Sequence, residues 1–266
     1  MKNQNSKKNI TCFLILVFLL PGICLFLSKN FYFFQQGPIS FVLFGIRAMT
    51  PTLSAVIVIM LSGGRRELVL FIKKCYLKNL KLSYLSLAII LPLTVLVVAK
   101  TVAFFILKQN TFFTGIGITK AIVIMWALIA EEVGWRGFLQ EKINESHGHF
   151  LTPIIVGLIW ALWHYHLFLS GSMSTPIILF TLGCIAESFG YYWITLKSKG
   201  NVIPASIWHF TGNLFFNLFF INPERNNGSI VPYLLFVICT TVMALGISVW
   251  GSITTRKNIE KKQLYL

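Results

Sequence analysis

Eight apolar runs, each long enough to cross a bilayer, follow one another along this 266-residue sequence. They lie near positions 10–27, 39–62, 83–107, 117–137, 151–171, 176–197, 203–221 and 230–252. About 20 apolar residues in a helix cross the roughly 30 Å hydrocarbon layer, where the backbone must satisfy its own polar groups. The runs therefore predict an all-α fold, a polytopic membrane bundle of about eight transmembrane helices. Composition agrees, with 56% hydrophobic and 12% charged residues, against roughly a quarter charged in ordinary globular domains. Such a chain cannot clothe a water-facing surface, and disordered, collagenous, coiled-coil and disulfide-scaffold architectures fall with the same arithmetic. The first run ends in Ser28-Lys29-Asn30 without a small-residue cleavage pattern, so it reads as a signal anchor.

The charge is lopsided, with 23 Lys and Arg against 8 acids and a formal net charge of +15. A basic excess raises the question of nucleic acid, but these cations sit between apolar runs and not on the face of a folded domain, so no nucleic-acid partner is expected. With the N-terminus inside, sixteen cations fall on the cytoplasmic side, the tail's Arg256, Lys257, Lys261 and Lys262 among them. Only Lys29, Lys108 and Arg225 fall outside. This bias predicts a multi-pass protein of the cell membrane with both termini cytoplasmic. Residues 65–82 are too charged to span and should form a basic helix on the anionic inner leaflet. Cys12, Cys24, Cys75, Cys184 and Cys239 show no metal or CxxC spacing and read as small hydrophobic fillers.

Ionisable groups are costly inside lipid, so each one in a span invites a functional reading. Glu131, Glu132 and Arg136 sit toward the cytoplasmic end of the fourth run. On a helix Glu132 and Arg136 are four apart and can neutralise each other, while Glu131 points about 100° away without that partner. A desolvated free carboxylate beside a paired one suits a general base; the plainer reading is two interfacial charges. His164 lies among Trp and Leu, where a histidine is more often a hydrogen-bonded packing residue than a catalyst. His166 falls about 200° round the helix, so it should not share a site with His164 and is expected to face outward or lie at the interface. His209 and Asn213 share a helix face beyond Gly200-Asn201-Val202-Ile203-Pro204, and taken alone they more simply bridge helices. Together the three helices offer a carboxylate, two imidazoles and an amide, the components for activating water and holding a tetrahedral oxyanion. Helix rise puts Glu131 and His209 each about 9 Å from the cytoplasmic boundary, with His164 nearer the midplane.

The segment EEVGWR, with His164 and then HFTGN, resembles the CPBP family of intramembrane proteases, also called the Abi or CAAX-protease family. The family pattern is EExxxR, FxxxH and HxxxN on successive membrane motifs, and the likeness covers residues 117–220. Trp160 stands where the family usually has Phe, and Glu187 has no place in the pattern; Lys100, Arg47 or the cavity wall are its options. The resemblance implies residues 1–116 as N-terminal membrane helices with the basic segment, 117–221 as the protease core, and 222–266 as the last helix and basic tail. It implies that Glu131 activates water with His164 assisting, that His209 and Asn213 steady the oxyanion, and that Glu132 and Arg136 form a structural pair. The substrate would be a membrane-embedded peptide or protein, in CAAX-type processing, bacteriocin or peptide maturation, or self-immunity.

No cofactor is required by this scheme. Zinc remains the alternative, since Glu131, His164 and His209 could ligate it with a water, although the HExxH spacing of zinc proteases is absent. The sequence has no Asp, which removes an aspartyl-dyad mechanism. Ser170-Gly171-Ser172 is no nucleophile elbow, and His147 and His149 near Glu145 read as a hydrophilic connection. The rival reading is a non-catalytic membrane scaffold of the same fold, for immunity or partner binding. A transporter would need paired repeats, which the sequence lacks.

Overall fold

The computed structural model describes residues 2–264, with side chains for residues 6–249. Lys2 and the tail cations Arg256, Lys257, Lys261 and Lys262 therefore lie outside the residues whose side chains are described. The chain is an all-α membrane bundle. Its first helices are α1 (Lys2–Asn30), α2 (Gly37–Ala48), α3 (Thr50–Leu77), α4 (Leu82–Ile106) and α5 (Ile118–Ala130). A π-helical segment, Val133–Leu139, leads into α6 (Gln140–Trp163) and the short α7 (Tyr165–Leu169). Then come α8 (Ile177–Lys197), α9 (Ile203–Leu218) and α10 (Val231–Leu264).

All eight apolar runs are helical. Among the described residues, by length and apolarity five helical stretches qualify as spans, and a sixth if α2 and α3 count as one bent span. One of the five, Ile118–Leu169, is 52 residues long, which at 1.5 Å per residue would be about 78 Å, more than twice the hydrocarbon layer. It is folded double. The backbone leaves helical geometry at Gly148, at φ 68° and ψ −173°, a conformation open to glycine because it has no Cβ. The reversal lets the Trp160 indole reach Glu131, 29 residues earlier. The run predicted at 39–62 is likewise two helices, which meet at 60° around Met49. Proline opens both, Pro38 in α2 and Pro51 in α3, where its fixed φ suits a first turn. The basic stretch begins at a second glycine break, Gly64, and is helical to Leu77. All five cysteines are free thiols, three of them buried.

Small residues let helices approach closely where lipid supplies no hydrophobic drive between them. Gly134 shows this in the π-helical segment: a Cβ there would stand 2.3 Å from both the carbonyl carbon and the oxygen of Pro51. Backbone atoms cannot swing aside as a side chain can. Gly134→Ala is therefore expected to push α3 away from the π-helical segment and to cost about 1–3 kcal/mol or more through overpacking. A lowered midpoint of thermal unfolding in detergent checks this; an unchanged midpoint would contradict the contact.

Candidate active site

The site is built where α5 gives way to the π-helical segment. Glu131 has already left the helix, at φ −120° and ψ −42°, and the Gln140 N–H bonds back five residues to the Trp135 carbonyl. Single wide turns of this kind occur often at functional positions. The two neighbouring carboxylates then take different surroundings. Glu132 is fully enclosed: its Oε2 accepts from Arg136 Nε at 3.0 Å and its Oε1 pairs with His209 Nδ1 at 2.8 Å. Arg136 also donates to Ser188 Oγ at 3.3 Å and lies 4.4 Å over the Tyr191 ring. The expected Glu132–Arg136 pair is thus present, and it extends to a third helix through His209.

Glu131 takes a different set of partners. Its Oε2 accepts from the indole N–H of Trp160 at 3.0 Å and of Trp135 at 3.3 Å. Among the described residues Glu131 forms no ion pair, and Trp135, four residues on, supplies an indole N–H in place of a charge. Trp160 is the common neighbour of the site. Besides bonding Glu131, its ring centre is 5.6 Å from the His164 ring and 5.9 Å from that of His209. His164 closes α6, and its Nδ1 lies 2.8 Å from the Trp160 carbonyl oxygen. Only an Nδ1–H can make that bond, so the neutral ring leaves Nε2 as an acceptor.

Glu131, His164, His209 and Asn213 all line one cavity of about 270 Å³. Glu132 and Arg136 stand behind its wall and do not line it. Glu187 also lines the cavity and forms no ion pair with Lys100 or Arg47 among the described residues. Lys100 is engaged elsewhere, donating to Gln109 Oε1 at 2.6 Å and lying 3.5 Å over Phe220. His166 corrects an expectation. It is 2% exposed and lines the same cavity as His164, because α6 ends at Trp163 and the helical phase that would set the two imidazoles apart is interrupted. His147 and His149 contact Ser146 and Tyr192 away from the cavity, as a hydrophilic connection should.

Among the described residues no three His, Cys or Glu side chains are arranged to hold a metal ion. Glu131, His164 and His209 share a cavity but do not converge on one point, so this geometry does not fit a tridentate zinc site.

A polytopic helix bundle that gathers a carboxylate, imidazoles and an amide on one cavity defines the class: a multi-pass membrane protein with a candidate active site. Residues 112–215 match the family described as type II CAAX prenyl endopeptidase Rce1-like. Over 101 residues the chain is 30% identical to CAAX prenyl protease 2 of Methanococcus maripaludis, an alignment covering 35% of this chain and 37% of that protein. The chain thus matches little more than a third of the relative's length. Over this segment the chain is similar to the CPBP, or CAAX-protease, family.

Proposed function

We propose that this protein is an intramembrane endopeptidase whose core, residues 117–221, hydrolyses peptide bonds by glutamate and histidine activation of water. One observation carries the reading: a single residue, Trp160, touches Glu131, His164 and His209, all on the wall of one chamber that Asn213 also lines. Glu131 takes a proton from a water whose oxygen attacks the peptide carbonyl, and His164 Nε2 orients that water. His209 and Asn213 donate to the oxyanion that forms. Collapse of the tetrahedral intermediate breaks the C–N bond, and the proton held by Glu131 passes to the departing amine. No step is routed through a metal.

The surrounding network supports these roles. Glu132 and Arg136 hold the Nδ1 side of His209, leaving Nε2 for the chamber. The substrate is a membrane-embedded peptide or protein. The relative's name supports CAAX-type processing, and the protein lies in the cell membrane with its termini cytoplasmic. Purified protein in liposomes, given peptide substrates in ¹⁸O-water, tests the reading. New C-termini should carry ¹⁸O and cleavage should survive chelation; intact peptides throughout would favour the non-catalytic scaffold, and loss on chelation would restore zinc.

Trp160 makes this chain differ from the family's Phe in a way that has chemical content, since Phe has no N–H for Glu131. Trp160→Phe should keep the fold and the aromatic contacts with both histidines. We expect kcat to fall about tenfold with little change in KM, the effect of losing roughly 1.4 kcal/mol of hydrogen bonding at the reacting carboxylate. Steady-state kinetics check it, and an unchanged kcat would mean the indole N–H does not hold Glu131 in the working enzyme.

A further inference from the structure

Two basic side chains of the chamber wall have no role in the scheme above. Arg47 ends α2 and is 8% exposed; His166 lies in α7 and is 2% exposed. Both line the chamber with Glu131 and His164. Arg47 forms no ion pair among the described residues, and its Nε has no hydrogen-bond partner. Both ring nitrogens of His166 are likewise buried and unbonded. Unpaired polar groups are costly in an apolar interior, and the Arg47 guanidinium has the Phe44 ring, 5.2 Å from its Cζ, beside it but no anion. A buried cation beside an unsatisfied imidazole is complementary to an anion supplied from outside.

The wall is held in place. The Arg47 carbonyl accepts from Thr50 Oγ1 at 2.9 Å, and Thr50 Oγ1 accepts from the Trp163 indole N–H at 3.0 Å. Trp163 in turn sets its ring edge-on to both histidines, with centres 4.8 Å from His164 and 4.9 Å from His166. One indole thus fixes the Arg47 turn, His166 and the proposed water-orienting His164 relative to one another. Arg47 also borders a second cavity, lined by Phe34 and Gln35 of the Tyr32–Gln35 turn.

We propose that Arg47 and His166 form an anion subsite in the chamber that seats a carboxylate of the peptide substrate. The inference rests on the peptidase reading for its ligand. A guanidinium presents a fork of donors matched to two carboxylate oxygens, and the His166 ring offers one further N–H. The carboxylate can be the peptide's C-terminus or an acidic side chain beside the scissile bond, and the two are separable.

The test compares three versions of one cleaved peptide: free acid, C-terminal amide, and amide with a Glu next to the scissile bond. Wild-type protein should cleave one of the two carboxylate peptides faster than the plain amide, by about 10-fold to 150-fold in kcat/KM, the range for hydrogen bonds to a charged group. Which of the two is preferred identifies the source. Arg47→Gln should abolish the preference, Arg47→Lys should retain part of it, and His166→Asn should reduce it. Equal rates for all three peptides in wild type, or an unchanged preference in Arg47→Gln, would overturn the subsite. Binding of the same peptides to Glu131→Gln protein keeps the two readings apart. Tighter binding of a carboxylate peptide, lost on adding Arg47→Gln, supports the subsite even where no cleavage occurs; cleavage without any preference defeats the subsite alone.

Discussion

Glu131→Gln will lower peptide cleavage by about 10² to 10⁴-fold, the usual contribution of a positioned general base, while leaving the fold intact. The substitution is nearly isosteric. The amide oxygen can still accept from the Trp135 and Trp160 indoles, which now bond Glu131 Oε2 at 3.3 and 3.0 Å, but the amide cannot take a proton from water. Rate loss with an unchanged melting temperature would separate chemistry from stability. A variant that cleaves at the wild-type rate would remove Glu131 from the mechanism, and with it the peptidase reading.

Glu132→Leu should act differently, on folding before function. Glu132 and Arg136 are both completely enclosed, and their 3.0 Å bond also anchors His209 through the other carboxylate oxygen. Removing one partner of a buried pair leaves an uncompensated charge and costs about 3–5 kcal/mol, whereas replacing both with apolar groups is often near neutral. Glu132→Leu is therefore expected to lose most of its folded yield in detergent, and adding Arg136→Met should recover much of it. The recovered double variant should still cleave poorly, because His209 no longer has a partner to fix its Nδ1 proton. Recovery of stability together with full activity would show that Glu132 does not orient His209.

Much of this arrangement was legible in the sequence because lipid simplifies the reading. Where apolar runs are the rule, Glu131, Glu132, Arg136, His164, His209 and Asn213 stand out by their expense, and helical spacing alone pairs Glu132 with Arg136. Spacing failed where the backbone departs from a regular helix. Helical phase sets His166 opposite His164, but the helix ends between them. The donors to Glu131 are indole N–H groups, which carry no charge to mark them in the sequence. The break at Met49, which brings Arg47 to the chamber, has no marker in the apolar pattern beyond Pro51. Trp160 was visible as a departure from the family's Phe, but only its distance to Glu131 turns an aromatic exchange into a change of hydrogen bonding.

The wide turn at Val133–Leu139 carries a lesson for comparing this chain with others. A helix that reaches back five residues for a bond holds one amino acid more than an ordinary turn would need. Loss of a single codon there would let the coil tighten and swing Trp135 and Arg136 round the axis by about 100° relative to the carboxylates before them. Aligned homologues that show a one-position gap between the second glutamate and the arginine should therefore be expected to have rebuilt the carboxylate's donor set from other residues, even where every letter of the motif survives.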